Sequence, residues 1–161
     1  MKHLVIIGQI FPEPDSTAAG KRMMQLIDFF IRHEFRITFL SAANSSQHSV
    51  DLSSNNIETH IIQLNDSSFD HLIKKLQPDF VLFDRFMTEE QFGWRISETC
   101  TGAIKILDTE DLHFLRKARE KAFKQNRKTE NADLISDVFK REIASILRCD
   151  LSLIISEYEM N

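Results

Sequence analysis

The sequence predicts an α/β domain built on a mostly parallel sheet, and three observations carry that expectation. Short β-rich runs alternate along the chain with segments patterned as helices. The first run, Leu4-Val5-Ile6-Ile7, has no polar alternation, which fits a strand covered on both faces. The chain's 161 residues, 42% of them hydrophobic, are enough for one buried core, so a single domain over 1–161 is expected.

The elements follow in order. Gly8 ends the first strand, and Pro12 and Pro14 mark a loop. Asp15, Ser16 or Thr17 can cap a helix whose Met23, Leu26, Ile27 and Phe30 recur at helical spacing. Arg36 to Leu40 reads as a second strand, and the polar stretch after it as a surface connection. A third strand lies within Ile57 to Leu64. Asn65 to Ser68 can then cap a helix bearing Phe69, Leu72, Ile73 and Leu76, which Pro78 stops. Asp79 to Asp84 is strongly β-like and leads to a helix around Glu89 to Cys100, with Thr88 and Glu89 at its start. Ala103 to Leu107 forms a fifth strand. Two helices are expected over about 111–126 and 131–147, before a sixth strand at Leu151 to Ile155. The crossovers should be right-handed.

Composition narrows the functional classes. Four Gly and three Pro exclude collagen-like and low-complexity chains. A net charge of −4 supplies no bulk attraction to nucleic acid or anionic lipid, so nucleic acid is not favoured as a partner. Cys100 and Cys149 form no CxxC pair and have no companion His cluster, so no metal site is expected. The N-terminus lacks the longer apolar region of a secretory signal, and no apolar stretch approaches the roughly 20 residues that span a bilayer. A cytoplasmic location follows as the expectation, with any membrane association peripheral, at the inner face.

Ligands of open parallel sheets bind where strands end, because loops converge there and helix N-termini present free N–H donors. That rule selects four sequences. In the first, Gly8 and Gly20 bracket a loop that Lys21 and Arg22 follow; neither GxGxxG nor GxxxxGK[ST] is present. In the second, Asp84 and Arg85 could orient a polar substrate or pair with each other, and Phe92 and Trp94 could form a wall or pack. The third, Asp108-Thr109-Glu110-Asp111-Leu112-His113, brings acids and an imidazole to one strand exit. It is the densest candidate for proton transfer or hydroxyl orientation. The fourth runs from Arg116 to Lys128, with seven bases against one acid (+6), leaving 13 bases and 23 acids (−10) elsewhere. Leu112, Leu115, Ala118, Ala122 and Phe123 can form its inward face, with the bases solvated or facing an anionic ligand or membrane surface.

Taken together, DSTAAGKRM, FDRFMTEEQFGWR, LDTEDLHFLRKAR and REIASILRCDLSLIISE give a chain that resembles, over almost all its length, the N-terminal domain of a two-domain GT-B glycosyltransferase, family-4-like. The first loop departs from the adjacent glycines of many such enzymes. The resemblance implies a Rossmann-like three-layer domain that presents the acceptor side of a cleft, with a nucleotide-sugar as donor. Gly8, Gly20, Lys21 and Arg22 would then lie near the cleft, Asp84 and Arg85 on its acceptor side, and Glu110 and Asp111 at another strand exit. His113 is the best match to a cleft imidazole, and Asp108 is the second catalytic candidate. No cofactor is implied for the domain alone. The resemblance implies an unidentified sugar acceptor and a covalently linked C-terminal donor-binding domain, without which these 161 residues are expected to be inactive; the basic stretch leaves an anionic or membrane-associated acceptor open beside a soluble one. The alternatives are a standalone Rossmann-like module for ligand or protein binding and, more remotely, a phosphoryl-accepting receiver domain.

Overall fold

The computed structural model describes residues 1–160. Six strands, β1 (His3–Gly8), β2 (Arg36–Ser41), β3 (Glu58–Ile61), β4 (Phe80–Asp84), β5 (Ile104–Asp108) and β6 (Leu151–Leu153), form one sheet in the order β3-β2-β1-β4-β5-β6. Every neighbouring pair is parallel. The order is that of a doubly wound Rossmann sheet and differs from the 2-1-3-4-5 order of receiver domains. Among the described residues seven α-helices accompany it: α1 (Ala18–Arg32), α2 (Ser67–Leu76), α3 (Arg85–Thr99), α4 (His113–Lys124), α5 (Asn131–Leu134), α6 (Asp137–Arg148) and α7 (Glu157–Met160).

The apolar β1 run is explained by burial of both its faces. Leu4 and Ile6 pack with Met23, Ile27 and Phe30 of α1, whereas Val5 and Ile7 pack with Phe69 and Ile73 of α2 and Phe92 and Ile96 of α3. Leu52 and Ile57, from the polar connection after β2, complete the α1 side. Thr17 caps α1 by accepting the Gly20 N–H at 2.9 Å, and Asp66 caps α2 by accepting the Ser68 N–H at 2.8 Å. Each cap satisfies a backbone donor that the first helical turn leaves unpaired. Gly20 is required by contact: a Cβ there would run into the backbone of Glu13.

Three local expectations are corrected. The helix expected from Glu89 begins at Arg85, directly on the strand end, and Thr88 and Glu89 lie inside it. Thr88 Oγ1 donates to the Asp84 carbonyl at 3.0 Å, while buried Glu89 pairs with Arg148 on α6, so both serve packing. The helix expected over 131–147 is broken at Ile135 and Ser136, because the Ser136 side chain accepts the Phe139 N–H and starts α6 afresh. Phe123, assigned to the inward face of α4, is 84% exposed, while Ala118 and Ala122 are buried.

Candidate functional site

The chain leaves β1 and β4 in opposite directions. The β1 crossover runs through α1 on one face to β2, and the β4 crossover through α3 on the other face to β5. Adjacent strands whose connections diverge leave a crevice at their carboxyl ends. Gly8 ends β1 there, Asp84 ends β4, and Asp108, the register partner of Asp84, ends β5.

Each strand-end acid carries an arginine. Asp84 accepts the backbone N–H of Gln9 at 3.1 Å and both the Nε and Nη2 of Arg85 at 3.1 Å, which ties the β1 exit to the β4 exit. Asp108, 2% exposed, receives Arg22 from α1, with Nη2 at 2.6 Å and Nε at 3.0 Å from Oδ1. The geometry is a bidentate, charge-assisted clamp. Arg85 Nε then reaches Glu110 Oε2 at 3.6 Å, linking the two exits. Both Arg85 and Glu110 are non-glycine residues in the left-handed region, with φ of 70° and 60°. Backbone in that region costs of order 1–3 kcal/mol and concentrates at functional sites. Burial pushes the Glu110 carboxyl up; Asp84, Asp111 and Asp108 push it the same way, and Arg85 opposes.

His113 opens α4 and is 8% exposed. Its ring packs nearly perpendicular to that of Phe86, with centroids 5.5 Å apart. Nδ1 lies 3.1 Å from the Asp111 carbonyl and 3.4 Å from Glu142 Oε1. The Glu142 carboxylate raises the imidazole's pKa, burial opposes it, and Asp111 adds to the rise.

Of the residues singled out in the sequence, Gly8, Arg22, Asp84, Arg85, Asp108, Glu110, Asp111 and His113 gather at this edge of the sheet. Gly20 lines the same crevice with Asp84 and Arg85, while Lys21 on α1 is exposed. Phe92 and Trp94 form no common wall: Phe92 stacks on Phe69 in the core at 4.8 Å, and Trp94 is 48% exposed beneath the Arg95 guanidinium. Sequence reading missed Glu142. It is fully buried on α6, and its available signal is a lone carboxylate on the stripe Val138, Glu142, Ser145 and Cys149, at helical spacing.

No family model matches the chain, and neither does any curated protein. Solved structures do share its fold. An alpha-glucosyltransferase in complex with UDP and a 13-mer DNA containing a central A:G mismatch aligns over 99% of the chain with a TM-score of 0.54 and 12% identity. An alpha-glucosyltransferase in complex with UDP-glucose and DNA containing an abasic site aligns over 98% with a TM-score of 0.55 and 12% identity. The chain spans 38% and 36% of the lengths of those two proteins. At this identity the likeness is one of fold: the chain is a Rossmann-like α/β domain of the kind found in glycosyltransferases.

Proposed function

We propose that this domain forms the acceptor side of a nucleotide-sugar-dependent glycosyltransferase whose donor-binding side lies in a second domain. The observation that carries the reading is the crevice at the ends of β1, β4 and β5, bordered by the Arg22–Asp108 and Arg85–Glu110 pairs with His113 at the helix start that follows β5, on a fold shared with solved glucosyltransferases. Sugar transfer needs an acceptor hydroxyl oriented toward the anomeric carbon and charge of the correct sign beside the departing diphosphate. In this reading Asp84 and Asp108 do not move protons. Both oxygens of each are engaged by arginine, and they hold Arg85 and Arg22 in place as N–H donors; with Glu110 and Asp111 beside them the acids outnumber these two arginines, so the cation for a departing diphosphate would come from the donor-binding domain. Glu110, with its raised pKa, and the His113 imidazole are the groups suited to an acceptor hydroxyl.

The α4 surface favours an acceptor presented at an anionic surface. Phe123 stands 84% exposed on α4, a helix whose neighbouring exposed face carries Lys117, Lys121 and Lys124 with Glu120, an apolar and basic combination that suits a phospholipid headgroup layer. Among the described residues no helix is long and apolar enough to cross a membrane, so this contact would be peripheral. The solved neighbours carry DNA, which withdraws overall charge as a reason to set nucleic acid aside. A standalone binding module remains the rival, and nothing in the crevice favours it. The test is label transfer from UDP-glucose to DNA and to lipid-linked acceptors. The 161-residue chain alone is expected to be silent, and activity is expected when a donor-binding domain is supplied. Robust transfer by the chain alone would overturn the division of labour.

A further inference from the structure

Glu142 lies 29 residues beyond His113, on a different helix, and is fully buried. A carboxylate so placed must be neutralised or heavily hydrogen-bonded, since water no longer solvates it. Its partners are all at the start of α4. Oε1 accepts the His113 backbone N–H at 3.1 Å, Oε2 accepts the Phe114 N–H at 3.0 Å, and Oε1 lies 3.4 Å from His113 Nδ1. Glu142 therefore caps α4 from outside the helix, at an N-terminus that has no side-chain cap of its own.

The same arrangement decides the imidazole tautomer. Nδ1 faces two acceptors, the Asp111 carbonyl and the Glu142 carboxylate. An unprotonated Nδ1 would set a lone pair against both, so Nδ1 carries a proton whether the ring is charged or neutral. Nε2 has no protein partner among the described residues. It donates when the ring is charged and accepts when it is neutral.

We propose that Glu142 is a positioning residue for His113: from α6 it fixes the ring and its Nδ1–H tautomer, so that Nε2 is presented to a ligand hydroxyl or phosphate oxygen in the strand-end crevice. The proposal rests on the glycosyltransferase reading for the identity of the ligand, but not for the coupling of the two residues. The charged and titratable groups around the ring are Asp111, whose Oδ1 is 3.6 Å from Nδ1; Arg116 on α4, 3.0 Å from Asp111; Glu142 on α6; and Arg141 on α6, over the Phe86 ring that packs against the imidazole.

The experiment is a pH titration of the His113 ring by NMR, with ring nitrogen shifts reporting the tautomer, in the 161-residue chain and in Glu142→Gln. Gln keeps one oxygen acceptor for the helix start but removes the charge and sets an NH2 against the other backbone N–H; Glu142→Ala is the harsher variant, and circular dichroism checks that each is folded. The parent chain should titrate above the ordinary 6.5, with Nδ1 protonated in the neutral ring. Glu142→Gln should lower the midpoint from that of the parent chain and admit the Nε2–H tautomer. An unchanged midpoint and tautomer in folded Glu142→Gln would overturn the proposal, leaving Glu142 as a helix cap alone. UDP-glucose is then added to the parent chain. Movement of the His113 ring signals with the ligand supports presentation of Nε2 to the crevice. Coupling to Glu142 without movement of the His113 ring signals would keep the pairing and overturn the presentation of Nε2 to the crevice; the transferase reading is decided separately, by transfer activity with a donor-binding domain supplied.

Discussion

Arg22 on α1 and Asp108 at the end of β5 are 86 residues apart in sequence and joined by a two-pronged ion pair, 2.6 Å at its shortest. The pair spans the switch point of the sheet, tying the helix that follows β1 to the strand beyond β4. Asp108 is almost wholly buried, and a quarter of the Arg22 side chain reaches solvent. Removing the arginine strands a buried carboxylate. Arg22→Ala should therefore cost about 2–3 kcal/mol in urea unfolding, toward the low end for a buried pair because Arg22 is partly solvated. Asp108→Asn, which leaves the more solvated partner behind, should cost about 1 kcal/mol.

Glu110 combines a left-handed backbone with a carboxyl that burial holds above its usual range. Glycine accepts that backbone without strain. Glu110→Gly should stabilise the domain by about 1 kcal/mol, against loss of a 3.6 Å contact to Arg85. The sign with pH is defined. A carboxyl whose pKa is raised on folding opposes stability once pH exceeds its unfolded value, so the gain should be larger at neutral pH than in acid. Thermal melts at both pH values check this, and weaker ligand binding by the same variant would mark the strain as functional.

Glu142 also predicts a pH dependence of stability. The His113 pKa is raised on folding, so its contribution is complete below 6.5 and lost as pH rises through the folded-state midpoint. Glu142→Gln should therefore be more destabilising in mildly acidic solution than in alkaline solution. His3 has the opposite trend, since burial between the Leu76 carbonyl and Thr38 lowers its pKa. It is common to both proteins and cancels in the difference.

The exposed face of α4 should bind vesicles rich in anionic phospholipid, with binding lost at high salt. Phe123→Ser should weaken co-sedimentation about tenfold, as expected for one aromatic side chain no longer buried. Lys117→Glu should act in the same direction through charge.

The alternation of strands and helices was legible because the central strand is buried on both faces and α1 and α2 carry strong caps and apolar stripes. The strand-end acids were legible for a related reason, since each follows directly on an apolar run. What escaped was decided by tertiary pairing. Glu89 and Glu142 sit on apolar helix faces where pattern alone expects a hydrophobe, and they are tolerated because Arg148 and the first turn of α4 receive them. The start of α3 moved because Arg85 adopts a left-handed backbone, which a sequence lacking glycine at that point does not advertise. Phe123 faces outward because Ala118 and Ala122 supply the buried contacts of α4.

The central claim is that the ends of β1, β4 and β5 form one ligand crevice. Its most direct test is a map of backbone amide shifts as UDP-glucose is added to the chain, with a dissociation constant of about 1 mM or weaker expected for half of a cleft. The account predicts that the responding amides cluster at Gly8, Gly20, Arg85 and Asp108 through His113. Shifts confined to other surfaces would contradict it.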